Sequence, residues 1–404
     1  MIFMTEDFKK KMQCCGCGAC LNICPQNCIK MEPDDEGFVY PSVDKDICTQ
    51  CGLCDRVCPI KNPVKEEYLA QEAYFVQNRN NEVLRTSTSG GFFSVLAEYV
   101  ISQGGIVYGA VMDELLKVKH VGICDINQLY LFRKSKYVQS STKNTYGEVK
   151  KELDMGRLVC YSGTPCQIEG LKEYLGIKYK NLITCDVVCR AVPSPFILSK
   201  YIEFIEEMKE DHVAQLVFRD KSVYGYKYNV ITAFNDESKK IYQCGVESDP
   251  YLRSFFSNVN VRPSCYNCVF KKQYRISDFT IWDAFNVGRF SKELDNDMGT
   301  TRLLIHTANG REIFIQIREK FKIYQVSPEE ITDNVREMYE SVEYNAKREL
   351  FFSDAGNLTG MELFHKYYPD SICIRLERAC RLISYKLGIY SFMKRIFAKL
   401  LRRY

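Results

Sequence analysis

The chain has 404 residues, 26% of them charged, with 20 cysteines and a formal charge of +4. That length suits two or three domains, since single cores stop growing near about 250–300 residues, and the absence of a leading apolar stretch or of a run of about 18 apolar residues predicts a cytoplasmic protein that does not span a membrane. In a reducing compartment so many cysteines exclude a disulfide scaffold and point to metal ligation or redox chemistry.

At the N-terminus, CCGCGACLNICP spaces Cys14, Cys17, Cys20 and Cys24 as C-x2-C-x2-C-x3-C-P, and CTQCGLCDRVCP repeats the spacing with Cys48, Cys51, Cys54 and Cys58. This is the run of two-cluster bacterial ferredoxins. Three thiolates two residues apart wrap one cubane, and the fourth, held before a proline, reaches the other. Cys14, Cys17 and Cys20 are therefore expected to share a 4Fe-4S cluster with Cys58, and Cys48, Cys51 and Cys54 with Cys24. Gly16, Gly18 and Gly52 suit the tight ligand loops. A zinc module would separate two C-x2-C pairs by a longer spacer. Cys15 and Cys28 fall outside the pattern, and Cys28 reads as a small packing residue.

Between the runs, MEPDDEGFVYPSVDKD reads as a hairpin turning near residues 34–37. Residues 59–73 hold two prolines and then charge, without apolar periodicity, as a linker does. The expected division is a ferredoxin-type domain over 1–62, a linker over 63–72, a core over 73–325 in two parts (about 73–150 and 151–325), and a helical C-terminal region over 326–404. In the core, GGIVYGAVMD, RLVCYSG and NLITCDVVC predict buried strands, and residues 92–102, 166–175 and 195–208 predict helices. Past about residue 215, AQLVFRD, NVITAF and KKIYQC predict an antiparallel portion. The fold class is thus an α+β ferredoxin module followed by a larger mixed α/β core.

Four core segments carry candidate chemistry. TSTSGGFF opens a predicted helix with hydroxyls and two glycines, which makes either an anion cradle or a plain N-cap. RKSKYVQS offers cations, a ring and hydroxyls to a phosphate-bearing cofactor, or forms a solvated charged face. In YSGTPCQ, Pro165 suits the first helical position and Cys166 falls in the first turn, where the helix dipole favours a thiolate as metal ligand or nucleophile. A protease reading fails on the histidines, which sit singly at 120, 212, 306 and 365. Cys185 and Cys189 end a predicted strand, and PSCYNC supplies Cys265 and Cys268. Cys166, Cys189, Cys265 and Cys268 would close a third cluster from three loops; the alternative is an inert buried pair beside an incidental helix cysteine.

Taken in order, STSGGFF, KSKYVQS, SGTPCQIEGLK, DVVCRAVPSP, RPSCYNC, ISDFTIWD and DNDMGTT resemble the beta-subunit family of coenzyme F420 hydrogenases and dehydrogenases, from about residue 73 to at least 310. Many members carry a two-cluster ferredoxin module at one end. The resemblance implies a flavoprotein with non-covalent FAD and a 4Fe-4S cluster of its own, passing electrons between iron–sulfur carriers and a two-electron substrate such as the deazaflavin or another reducible small molecule. It implies that Ser89, Gly90 and Gly91 face the FAD phosphates, with Lys136, Tyr137 and Ser140 helping to hold the cofactor. It also implies that Cys166, Cys189, Cys265 and Cys268 ligate the third cluster, with Cys185 as the rival ligand. Cys124, Cys160, Cys244, Cys373 and Cys380 match no ligand position and read as packing residues. Asp278 and Asp283 lie in the ISDFTIWD motif, with a functional or a structural role. No catalytic acid or base is assigned.

The chain departs from the family at Arg190 and Ala191, where members commonly have His-Gly, and at Trp282, which stands on a glycine position. Such variants resemble a bacterial subgroup near cell-surface polysaccharide biosynthesis. Counting each oxidised cluster with four thiolates as a dianion, three sites would carry the formal charge of +4 down to about −2, so the basic composition does not argue for nucleic acid. The expected partner is a redox protein or small-molecule electron carrier. An alternative is a non-catalytic relay subunit that docks a partner enzyme. Finally, residues 378–404 hold eight Lys or Arg and no Asp or Glu; they read as a basic amphipathic helix that either offers peripheral membrane contact or packs on the core.

Overall fold

The computed structural model describes residues 6–228, 230–390 and 393. Most of the basic tail, residues 391–392 and 394–404, lies outside the described residues. The strands run in chain order as β1 (Ile29–Pro33), β2 (Val39–Val43), β3 (Glu72–Asn78), β4 (Ile106–Met112), β5 (Val118–Ile123), β6 (Val159–Gly163), β7 (Leu182–Val187), β8 (Gln215–Val217), β9 (Val230–Phe234), β10 (Lys240–Gly245), β11 (Phe279–Asp283), β12 (Thr301–Ile305) and β13 (Phe321–Val326). They form a hairpin, a three-stranded antiparallel sheet β10-β9-β8, and an eight-stranded mixed sheet ordered β13-β3-β12-β11-β7-β6-β4-β5.

In the large sheet, β4, β6, β7 and β11 are mutually parallel and the outer strands antiparallel. Successive residues alternate between two cores, as the period of a strand requires. Val107, Cys160, Ile183 and Leu303 face a core shared with the helices Phe92–Ser102 and Ala308–Ile317. Ile106, Val159, Tyr161 and Leu182 face the opposite side, where Thr145–Asp154 and Pro165–Leu175 pack together with Cys15, Cys17, Ala19 and Val57 of the N-terminal module. The module is thus built into one of the sheet's two cores.

Its hairpin pairs Ile29 with Val43 through Pro33 with Val39. Asp34 closes the turn, its Oδ1 accepting from the Glu36 and Phe38 amides. Gly37 (φ 81°) is needed there twice over, because a Cβ would come within 2.6 Å of the Phe196 Cβ. That contact seats the turn on the helix Pro195–Lys209, whose start is fixed by Pro195 and by Ser194 Oγ accepting from the Ile197 amide.

The predicted helix over 92–102 matches Phe92–Ser102, and the predicted antiparallel portion is the β8–β10 sheet. Two features differ from expectation. Residue 72 already belongs to β3, which lies inside the sheet between β13 and β12. The linker is also anchored: Lys272 Nζ donates to Val64 O at 2.9 Å, and Glu66 Oε1 accepts from the Gln273 and Tyr274 amides. The helices Arg348–Ala355, Gly360–Tyr367 and Ile372–Lys386 follow in the described C-terminal region, and the first two join the core around Pro195–Lys209.

Candidate functional site

Both N-terminal cysteine runs turn on left-handed glycines. Gly18 (φ 80°) and Gly52 (φ 72°) stand directly before the short helices Ala19–Ile23 and Leu53–Arg56, so the sequence repeat is also a conformational one. Burial first, then the nearby Cys14, Cys58 and Cys54, push the Cys20 thiol up to about 12. Cys24 lies instead beside Cys28, with the sulfurs 3.3 Å apart, and Cys28 also neighbours Cys48. Cys20 of the first run thus neighbours both Cys54 and Cys58 of the second, and Cys24 reaches toward Cys48 through Cys28. Cys28 is buried, as a packing residue should be, yet it packs on sulfur.

The core thiols converge at the C-terminal ends of the parallel strands, where open α/β sheets place their sites. Cys166 is the second residue of Pro165–Leu175, immediately after β6; Cys189 lies just past β7; Cys265 is in the turn Pro263–Asn267 and Cys268 follows it. All four line one cavity together with Cys15, Arg262, Lys271 and Arg275. Cys185, the rival ligand, is interior to β7 and faces the core on the other side of the sheet, so the cavity takes Cys189. The thiol the sequence missed is Cys15, which neighbours Cys166 in this cavity.

Burial pushes the Cys189 thiol up to about 12 and raises Cys265 and Cys268; at Cys166 the neighbouring Cys15 comes first and burial second. Burial favours the neutral form of these neighbouring thiols; iron bound among them would favour the thiolate form instead. Arg262, Lys271 and Arg275 around the cavity suit a group whose net charge is negative. Four cysteines on one cavity are the donor type that a 4Fe-4S cluster takes, although among the described residues no three Cys, His, Asp or Glu side chains are gathered closely enough to hold a single metal ion.

The residues proposed for FAD divide. Ser89 Oγ donates to Thr300 O at 2.6 Å, and the Gly90 amide donates to Thr301 Oγ1 at 2.9 Å. Gly90 is there for close packing: a Cβ would lie 2.3 Å from Val76 O. Gly91 (φ 79°) starts Phe92–Ser102 without a side-chain cap. Lys136 Nζ closes a turn on the carbonyls of Leu131, Phe132 and Arg133. Tyr137 packs against Phe218 and Phe255. Ser140 Oγ lies elsewhere, 2.9 Å from His120 Nδ1 and 3.1 Å from Gln167 Nε2 in a buried network beneath Cys166. Most of these polar groups already have protein partners.

Unpartnered polar atoms occur beside them. Ser87 Oγ, Arg133 Nε, and Arg219 Nε and Nη2 are buried without hydrogen-bond partners among the described residues. Contacts tie them into one cleft: Arg133 donates to Thr86 Oγ1 at 2.9 Å, Ser135 to Thr88 Oγ1 at 3.3 Å, and Lys221 Nζ to Leu84 O and Met298 O. Arg219 is ion-paired to Asp283, which also accepts from Tyr226 at 3.1 Å. Burial, then Lys134 and Arg219, lower Lys221 to about 7. Orphaned donors among clustered cations, with the stacked pair Tyr226–Phe285 at 5.0 Å, fit a cofactor with a pyrophosphate and a flat ring. Asp283 thus belongs to this cleft, whereas Asp278 is structural, its carboxylate bound by the Thr184 amide and by the Thr184 and Thr307 hydroxyls.

Of the other cysteines, Cys160 and Cys244 pack in cores, but Cys124, Cys373 and Cys380 are exposed and do not. Arg190 spans to Phe256 O, Asn258 Oδ1 and Glu337 and lines the thiol cavity, and Arg302 lies 5.8 Å over the Trp282 ring; the buried Arg190 Nε and Trp282 Nε1 have no hydrogen-bond partner among the described residues. No helix among the described residues is long and apolar enough to cross a membrane.

Residues 156–331 match the family model for the C terminus of the coenzyme F420 hydrogenase/dehydrogenase beta subunit, and residues 13–62 match that of a 4Fe-4S dicluster domain. The chain is 25% identical over 162 residues to the coenzyme F420-dependent sulfite reductase of Methanocaldococcus jannaschii, covering 40% of this chain and 25% of that protein. It is 33% identical over 64 residues to the 7Fe ferredoxin of Hydrogenibacillus schlegelii, covering 15% of this chain and 76% of that one. A solved structure of the F420-reducing NiFe hydrogenase complex from Methanosarcina barkeri contains a chain with a TM-score of 0.42 and 16% identity, over 75% of this chain and 93% of that one. The chain spans about a quarter of the length of the sulfite reductase.

Proposed function

From a chain that belongs to the coenzyme F420 hydrogenase/dehydrogenase beta-subunit family through residues 156–331, and to the 4Fe-4S dicluster domains through residues 13–62, we propose an FAD-dependent iron–sulfur oxidoreductase with three clusters. Iron–sulfur electron transfer of the oxidoreductase type follows from the family; the third cluster, the flavin and the substrate side are this reading. The observation that carries it is the convergence of Cys166, Cys189, Cys265 and Cys268 on one cavity, in a chain that also gathers Arg133, Arg219 and Lys221, with buried guanidinium nitrogens of both arginines lacking hydrogen-bond partners among the described residues.

Bound FAD would let one-electron carriers communicate with a two-electron substrate, a deazaflavin or another reducible small molecule. The chain's own contributions are positional. Cys14, Cys17, Cys20 and Cys58 hold the first ferredoxin-type cluster, Cys24, Cys48, Cys51 and Cys54 the second, and the four core thiols the third. Arg133, Arg219, Lys221 and Ser87 bind the FAD phosphates, with Ser89, Gly90 and Gly91 shaping the wall behind them. Asp283 fixes the Arg219 fork, which lies over the stacked Tyr226 and Phe285 rings.

The test is anaerobic reconstitution of the full chain, with iron and flavin analysis. About twelve irons and one FAD per chain are expected. About eight irons without flavin would sink the reading and leave a two-cluster relay protein that docks a catalytic partner.

A further inference from the structure

Arg262 is 1% exposed, and among the described residues no carboxylate is hydrogen-bonded to it or ion-paired with it. Its Nε donates to Cys14 O at 2.8 Å, Nη1 to Gln139 Oε1 at 2.9 Å and Nη2 to Val39 O at 2.9 Å, all neutral acceptors. Its planar head lies 4.3 Å from the centre of the Tyr40 ring. A guanidinium buried this deeply is costly without a counter-charge. The candidates are sulfur: Cys14, Cys15 and Cys265 are its electrostatic neighbours, and the side chain lines the core cavity itself.

Arg262 lies between two loops that carry ligands to different sites. It is three residues before Cys265, and its Nε holds the carbonyl of Cys14. The same two regions meet twice more. Cys15 lines the same cavity as Cys166, and Cys17 packs on the helix that bears Cys166, where a Cβ at Gly170 would lie 2.9 Å from its sulfur. The contacts holding the module here engage Cys14, Cys15 and Cys17. On the second run, Cys51 is exposed and Cys48 and Cys54 are half-buried.

We propose that Arg262 is a positioning residue that clasps the first ferredoxin site to the core site, so that the first run exchanges electrons with the core and the second run is the solvent-side terminal. The inference rests on the three-cluster reading above. In each transfer one site loses the single electron that the other gains, and no bond or proton moves. A fixed positive charge shared by two anionic sites favours the reduced, more negative state of both, so its removal makes both harder to reduce.

The test compares Arg262→Met and Arg262→Lys with the wild-type full chain, each anaerobically reconstituted and titrated electrochemically with EPR detection. About twelve irons are expected in each. The first-run and core potentials should become more negative in Arg262→Met and return toward wild type in Arg262→Lys, with the second-run potential unmoved. All three potentials unmoved, or movement of the second alone, overturns the proposal.

A second measurement does not depend on Arg262→Met folding. In fully reduced protein, the magnetic interaction seen on the core signal should vanish in Cys20→Ser, which disrupts the first site, and persist in Cys51→Ser, which disrupts the second. The reverse pattern overturns the proposal, as does an interaction lost in both or in neither. About eight irons in the wild-type chain overturns the underlying reading and this inference with it, whereas about twelve irons with either adverse pattern overturns the inference alone.

Discussion

Lys221 is held at about 7 because its ammonium is buried among Lys134 and Arg219. Its ordinary value is 10.5, so between these limits the unfolded chain binds the proton and the folded chain does not; this residue's contribution to stability therefore rises with pH across that window. Anion binding has the opposite slope. A pyrophosphate favours the charged amine, so FAD affinity should be highest below about 7 and weaken as pH rises past it, while Lys221→Arg, charged throughout, should flatten the profile. Fluorescence titration of the reconstituted chain with FAD from about pH 6 to 9, a range that brackets the shifted value, measures this. A wild-type profile as flat as that of the variant would remove Lys221 from the cleft. The cysteine spacing was legible because three ligands of each N-terminal site lie two residues apart in the chain. Arg219 and Lys221 were not, because their strand edge reaches the loop at Ser87 only through tertiary packing, and no residue near either one marks the partner. Cys15 was hidden differently: it reads as a spare beside Cys14 until Pro165–Leu175 brings Cys166 against it.

The helix Pro165–Leu175 has to serve two neighbours. Its start is set by Pro165 and by Gln167 Oε1, which accepts from the Thr164 amide at 2.9 Å, and this places Cys166 in the first turn as the sequence suggests. One turn further on, Gly170 is a poor helix former, and replacing it by alanine would gain about 1 kcal/mol of helix propensity. The contact with Cys17 decides against it, because a Cβ would press within 2.9 Å of a sulfur that a cluster holds in place, and overpacking costs about 1–3 kcal/mol. Gly170→Ala should therefore lower the melting temperature and speed the loss of visible absorbance to a chelator; a more stable variant would show that Cys17 is free to move. Strands with continuous apolar runs, β4, β6 and β7, were legible for the same reason they are buried on both faces. The place of β3 was not, since EAYFVQN finds β12 and β13 more than two hundred residues later, and strand order is a property of pairing rather than of composition.

Across the whole molecule, the N-terminal hairpin is locked to the C-terminal region by Glu36, whose carboxylate receives both terminal nitrogens of the fully buried Arg348 and whose carbonyl receives Ser194 Oγ. Glu36→Gln would leave the guanidinium buried without that carboxylate, at a cost of about 3–5 kcal/mol. Thermal unfolding of the variant should begin with release of the module, seen as earlier protease cleavage in residues 63–71, and unchanged cleavage would show that the pair adds little. The linker composition suggests a module set apart from the core. The fusion was not legible, because Glu36 and Arg348 lie 312 residues apart in the chain. That separation constrains biosynthesis. The first cysteine run is translated long before Arg262, Pro165–Leu175 and Arg348 exist to cover Cys14, Cys15 and Cys17, so it is open to iron delivery early and walled in late. On that ordering, iron supplied during translation would meet an open first run, and iron supplied after folding one partly covered by residues made later.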